Sequence, residues 1–258
     1  RLDSTNEIPC PVLSVVTGID YDHMAILGDT LPKIAAEKAG IIKPGTTVLF
    51  GEGASEAEAV IRETTDRICG AQAYHRTDYS RIALAETSLD GTAFTFAPFG
   101  KLRLSMCGMY QLRNAANVLT AVELLRDKGY KIPDDAVRDG LASAKWKARF
   151  EVLSRDPIIV YDGAHNPQGI AAAEANIRQY LAPLTPDGKV HLLMGVLADK
   201  DYRTMIAALA PYAKSVVTIT PPSPRALDAA DTAAIFREHG VSAAPAKSVD
   251  EGVTMAVD

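Results

Sequence analysis

The sequence predicts an α/β protein with doubly wound parallel sheets, and three observations carry that reading. Apolar runs of strand length alternate with stretches of helical period along the chain. Parallel strands need crossover connections, so strands separated by helices point to parallel sheets. A basic segment without regular pattern, 144–150 (Ala-Lys-Trp-Lys-Ala-Arg-Phe), separates two such series. Finally, one strand ends in a polar turn that opens a helix, Val160-Tyr161-Asp162-Gly163-Ala164-His165-Asn166-Pro167. Open α/β sheets bind ligands beyond the carboxyl ends of their strands.

The elements follow in order. Residues 12–16 read as a short buried strand. A helix over 31–39 has Thr30 as its cap, Pro32 in its first turn and Gly40 to end it. A strand over 46–50 and a helix over 55–69 come next. Asp90-Gly91 marks a turn between strands at 82–84 and 93–96, and 102–104 alternates as a half-buried strand. Helices are expected over 112–128 and 134–143, the first with apolar residues at Val118, Ala121, Val122 and Leu125. Beyond the basic linker, strands at 158–161, 191–196 and 215–220 alternate with helices at 169–181, 202–210 and 229–238. The first of these strands reads as buried. Asn166 caps the first of the helices, and Pro167 takes its first position.

Composition narrows the function classes. The 258 residues are 47% hydrophobic and 23% charged, which is globular composition. A net charge of −5 provides no basic footprint for nucleic acid. No apolar run approaches about 18 residues, so no membrane span is expected. The opening residues do not read as a signal peptide. Cys10, Cys69 and Cys107 are scattered and odd in number, which fits a reducing cytoplasm better than a disulfide or zinc framework. The chain starts without Met, which suggests processing or a cut from something longer.

Four further constellations could carry chemistry. Asp20-Tyr21-Asp22-His23 follows the first strand; it suits a hard cation or a phosphate, or is a solvated turn. Glu37-Lys38 ends a helix, where the macrodipole alone favours a lysine. Gln111, Asn114 and Asn117 recur every three residues; such amides can read a base edge or simply cap an amphipathic helix. Asp199-Lys200-Asp201 is either a ligand loop or a capped helix start. No Gly-x-x-x-x-Gly-Lys-[Ser/Thr], Gly-x-Gly-x-x-Gly or Gly-x-Ser-x-Gly motif is present.

Together these residues resemble the folylpolyglutamate synthase / dihydrofolate synthase family of the Mur ligase superfamily. The resemblance is carried by Arg1-Leu2-Asp3-Ser4-Thr5-Asn6, by Tyr21-Asp22-His23 through Leu27-Gly28-Asp29-Thr30, and by Glu37-Lys38-Ala39-Gly40-Ile41-Ile42-Lys43-Pro44-Gly45. It continues through Gln111 to Ala116, Arg149-Phe150-Glu151, Asp162 to Pro167 and Leu197 to Asp201. It implies that 1–148 is the C-terminal portion of a P-loop-type ATPase domain. It implies that 149–258 is a smaller Rossmann-like, doubly wound domain with its last strand missing. The implied reaction is ATP-dependent addition of L-glutamate to dihydropteroate or a tetrahydrofolate polyglutamate, through an acyl phosphate. The implied cofactors are ATP, two Mg²⁺ and, optionally, a monovalent cation. His23 and a carbamylated Lys38 would hold Mg²⁺. Asn114, Arg149, Asp162 and His165 would bind ATP, with Lys38, Arg149 and His165 also serving catalysis. A cytoplasmic monomer is expected.

Departures from the family pattern are local. Ala148 stands where the family usually has Gly, Lys147 where Pro is common, and Asp20 where Gly is usual. The P-loop and acceptor-binding loops lie upstream of Arg1 in the family, so these residues alone are expected to be inactive. A ligase with another acceptor and a non-catalytic nucleotide-binding module remain as alternatives. Dihydrofolate synthesis, polyglutamylation and both together stay open.

Overall fold

The computed structural model describes residues 4–21 and 27–257. The chain divides into two compact units: 1–86, 92–105 and 111–143 form one, and 87–91, 106–110 and 144–258 the other.

In the first unit, β1 (Leu13–Ile19), β2 (Thr47–Gly53) and β3 (Tyr74–Arg76) form a parallel sheet with β2 central. Helices α1 (Leu31–Lys38) and α2 (Ser55–Cys69) provide the crossovers. Val16, Val48 and Phe50 pack with Ile34, Ala35, Ala57 and Ile61 in one buried cluster. Thr30 caps α1 as expected, its hydroxyl accepting the Lys33 N–H at 3.4 Å, and Pro32 sits in the first turn. The helix does not end at Gly40 but tightens after Lys38 into a 3₁₀ turn, Ala39–Ile41. Lys43 then caps the turn: its ammonium donates to the Gly40 carbonyl at 2.8 Å and to Asn6 Oδ1 at 2.6 Å.

The strands β4 (Ile82–Ser88), β5 (Gly91–Phe96) and β6 (Gly100–Leu104) form a second sheet, with β5 and β6 antiparallel. Phe94, Phe96, Leu102 and Leu104 are buried, and α4 (Asp134–Ser143) lies against β6. The long helix α3 (Met109–Asp127) corrects the expected apolar face. Val118 is half exposed, and the buried stripe is Leu112, Ala115, Ala116, Leu119 and Leu124. Both stripes have helical period, and two alanines that admit close backbone approach decide between them.

Among the described glycines of this unit, Gly51 of β2 has the closest neighbours. A Cβ there would lie 2.2 Å from the Thr17 carbonyl and 3.0 Å from both polar side-chain atoms of Asn117.

The second unit has a parallel sheet ordered β11-β10-β9, from β9 (Val190–Met194), β10 (Ala213–Thr218) and β11 (Ala243–Pro245). Helices α5 (Pro167–Asn176), α6 (Tyr202–Leu209) and α7 (Ala229–Glu238) bury Ile170, Met205, Ile206 and Phe236 in two clusters that include Leu192 and Met194. Side chains alternate along a strand, so Leu193 faces the other way. There it meets α8 (Val249–Val257) at Gly252 but stays partly exposed, so α8 covers that face of the sheet only in part.

One expectation fails in this unit. The strand at 158–161 belongs to no parallel sheet and is not buried. It is β8 (Ile158–Tyr161), paired antiparallel with β7 (Glu151–Arg155), and Ile158 and Tyr161 are exposed. Its apolar run matches a buried strand in composition, but the turn at Asp156-Pro157 folds it straight back on β7. The elements β7, β11 and α8 have no counterpart in the sequence reading. Among the described residues no helix is long and apolar enough to cross a membrane.

Gly51→Ala is expected to cost about 2 kcal/mol, because the new methyl must push backbone apart. Urea unfolding of the variant measures this. A loss under about 0.5 kcal/mol would show that β1 can yield at Thr17.

Candidate nucleotide-binding loop

The turn before β7 and the loop after β8 are hydrogen-bonded to each other. The Gly163 N–H donates to the Ala148 carbonyl at 2.9 Å. The Asp162 carboxylate accepts the Phe150 N–H at 2.9 Å and the Ala164 N–H at 2.8 Å. Glu151 accepts the Ala148 N–H at 2.9 Å. The loop then enters α5, where Asn166 Oδ1 caps the Gly169 N–H at 2.7 Å and Pro167 takes the first helical position.

The backbone on the linker side is strained. Ala148 (φ 56°) and Phe150 (φ 49°) both adopt the left-handed conformation, and Arg149 lies between them. Non-glycine residues avoid this region, a bulky one most of all. The departure from the family's Gly therefore falls where glycine fits without cost.

Burial raises the Asp162 carboxyl above its ordinary 3.8. The two N–H donors and the Arg149 charge pull it the other way without overcoming burial. Asp162 thus acts as a structural acceptor for two loops. Arg149 is exposed and forms no ion pair among the described residues. His165 is exposed, with Nδ1 2.9 Å from the Gly163 carbonyl. In the neutral ring that contact places the proton on Nδ1 and leaves Nε2 as a free acceptor. A guanidinium, an imidazole and a helix N-terminus, all facing water from tied loops, suit a phosphate-bearing ligand.

Arg149, Asp162 and His165 therefore come together in the second unit. Lys38 and Asn114 lie in the first unit, on α1 and α3. Lys38 is exposed in the last turn of α1. Asn114 donates to Gln111 Oε1 at 3.0 Å. Asn117, the third amide of that row, is buried, and its Oδ1 accepts Thr77 Oγ1 at 2.7 Å and the Tyr79 hydroxyl at 2.9 Å. Asn117 is thus committed to the interior and unavailable to a base. Asp199 pairs with Arg225 at 2.7 Å, and Asp201 caps α6 at Thr204. His23 and Asp22 lie outside the described residues, as do Arg1 to Asp3. Among the described residues no three His, Cys, Asp or Glu side chains converge as a metal site. These residues do not by themselves build a cage for Mg²⁺.

Comparison with known proteins places this geometry. Residues 148–258 match the family described as Mur ligase, glutamate ligase domain. The dihydrofolate synthase/folylpolyglutamate synthase of Bacillus subtilis is 35% identical over 237 residues, covering 90% of this chain and 54% of that protein. The folylpolyglutamate synthase of Lacticaseibacillus casei is 35% identical over 232 residues, covering 87% and 52%. A crystal structure of Mycobacterium tuberculosis folylpolyglutamate synthase complexed with ADP and AMPPCP aligns with a TM-score of 0.81 at 30% identity, covering 98% of this chain and 58% of that one. The family match places residues 148–258 among the glutamate ligase domains of the Mur ligase class. Within that class, the chain belongs to the folylpolyglutamate synthase / dihydrofolate synthase family. It spans about half the length of the curated relatives it matches.

Two substitutions test the tied loops. Asp162→Asn keeps one acceptor and turns a donor toward the other N–H, and is expected to cost about 1–3 kcal/mol. It also removes a titration. A carboxyl raised in the native state contributes stability that is present below its unfolded value and lost as pH rises through the native value. The advantage of wild type over Asp162→Asn should therefore shrink as pH rises above 3.8. Unfolding curves across pH read both effects, and a growing advantage would reverse the sign assigned to Asp162. Ala148→Gly is expected to add about 1 kcal/mol by releasing left-handed strain. A fall in the urea midpoint would show that Ala148 sits there without strain.

Proposed function

We propose that this chain is part of an ATP-dependent ligase that joins L-glutamate to the carboxylate of dihydropteroate or of a tetrahydrofolate polyglutamate. The observation that carries the reading is Arg149, exposed and, among the described residues, in no salt bridge, between two left-handed residues that Asp162 and Gly163 hold in place. Strain that the surroundings over-determine is a mark of functional positions. The kinship with folylpolyglutamate synthases, one of them solved with ADP and AMPPCP, supports ATP as the ligand.

In the proposed chemistry the acceptor carboxylate attacks the terminal phosphorus of ATP, giving an acyl phosphate and ADP. The glutamate amine then attacks the acyl carbon, an amide forms and inorganic phosphate leaves. Arg149 neutralises charge on the phosphoryl oxygens, which a fixed cation does best where charge develops. Asp162 keeps that guanidinium in place, and His165 offers Nε2 to the bound nucleotide. Asn114 contacts ATP from α3. His23 and a carbamylated Lys38 would hold Mg²⁺, which when bound adds to the same charge neutralisation. We place the domain boundary at 148/149, at the strained turn.

The test is ATP-dependent glutamate incorporation by the full-length protein, with dihydropteroate and a tetrahydrofolate offered separately. Incorporation with either acceptor is expected, and Arg149→Ala should lower kcat/KM about 100-fold. No incorporation with either acceptor, in protein that binds MgATP, would turn the reading to a ligase with another acceptor. Residues 1–258 carry no Gly-x-x-x-x-Gly-Lys-[Ser/Thr] motif, and when purified alone they are expected to show no turnover.

A further inference from the structure

Phe150 must be held in a conformation that a bulky residue avoids. Asp162 fixes its N–H, but its ring is fixed by another group. Phe150, Cys107 and Tyr180 form one buried cluster. The rings of Phe150 and Tyr180 lie 5.8 Å apart at 45°, and the Cys107 thiol donates to the Phe150 carbonyl at 3.7 Å.

Tyr180 is itself anchored at its far end. Its hydroxyl accepts the Gly108 N–H at 3.0 Å and bonds Thr87 Oγ1 at 2.6 Å. One side chain thus joins three segments far apart in sequence. The chain aims Tyr180 there by leaving α-helical geometry. After α5 the backbone runs as a π-turn, Ile177–Leu181, whose wider winding re-aims the side chains that follow. Asn176, just before that turn, is buried against Gly108. A Cβ on Gly108 would lie 3.1 and 3.2 Å from its two polar atoms, and among the described residues Asn176 Nδ2 has no hydrogen-bond partner.

We propose that Tyr180 is a positioning residue for the nucleotide loop: it holds left-handed Phe150 in place and so sets the direction of Arg149, touching no substrate itself. The inference rests on the reading of Arg149 as a nucleotide contact. Loss of the hydroxyl frees Tyr180 from Gly108 and Thr87, lets the Phe150 turn relax, and turns Arg149 away from the phosphates.

The experiment is a double-mutant cycle on the full-length protein, reading the Kd for MgATP by calorimetry well below the Tm of every variant. Tyr180→Phe keeps the ring and removes only the hydroxyl. It removes both hydrogen bonds of the hydroxyl and is expected to weaken binding about 5-fold. Arg149→Ala should weaken it more, and Tyr180→Phe should add nothing in the Arg149→Ala background. A structural role alone would lower Tm and leave Kd unchanged. Unchanged Kd in Tyr180→Phe, or additive losses in the double variant, overturns the proposal while the nucleotide reading stands. An unchanged Kd in Arg149→Ala overturns the reading of Arg149, and the proposal with it. If Tyr180→Phe fails to fold, Thr87→Val removes the hydroxyl's other partner. The same non-additive pattern is then expected, and additivity again overturns the proposal.

Discussion

The second unit depends on one carboxylate that accepts two N–H groups. Asp162 binds the amide of Phe150 on one side and that of Ala164 on the other. Remove it, and two buried or half-buried donors lose their partner at once, which costs more than the average hydrogen bond contributes. With it in place, the otherwise unfavourable left-handed pair Ala148 and Phe150 becomes part of a fixed turn. Everything that gives this region chemical character, the exposed guanidinium of Arg149 and the exposed imidazole of His165, stands on that turn or on the loop it grips. The price is a carboxylate kept out of water, visible in the upward displacement of its pKa.

The first unit has an equivalent node that uses no charge. Asn117 offers one oxygen to Thr77 and Tyr79, and its side chain closes over Gly51. The contact ties α3 to the end of β2, with Arg113 stacked 4.2 Å over the Tyr79 ring beside it. Helix and sheet are therefore joined by an amide whose polar groups face inward, a specific lock where apolar contact alone would tolerate sliding.

Much of this was legible in the sequence. Helix caps read well, because Thr30 and Asn166 act through local geometry that the neighbouring residues spell out. Arg149, Asp162 and His165 were found by motif, and the structure brings those three together. What escaped depends on distant contacts. Asn117 looks the same as Asn114 along the chain; only Gly51 of β2 and Thr77, just after β3, make one interior and the other exposed. The 158–161 run has the composition of a buried strand, but composition does not say which partner a strand will find. Tyr180 carried no signal, since its role arises from a local change in helix winding and from partners more than seventy residues away.

That change of winding has a consequence for how this part of the chain can vary in length. A π-turn is an α-helix holding one extra residue. Deleting Ile177, Arg178 or Gln179 would restore regular winding and carry Tyr180 round the helix axis, away from Gly108. A substitution here alters one contact, whereas a deletion dismantles the junction as a whole. The length of the α5 segment is thus held as tightly as the identity of its residues, while exposed turns such as that at Pro186-Asp187 are free to grow or shrink.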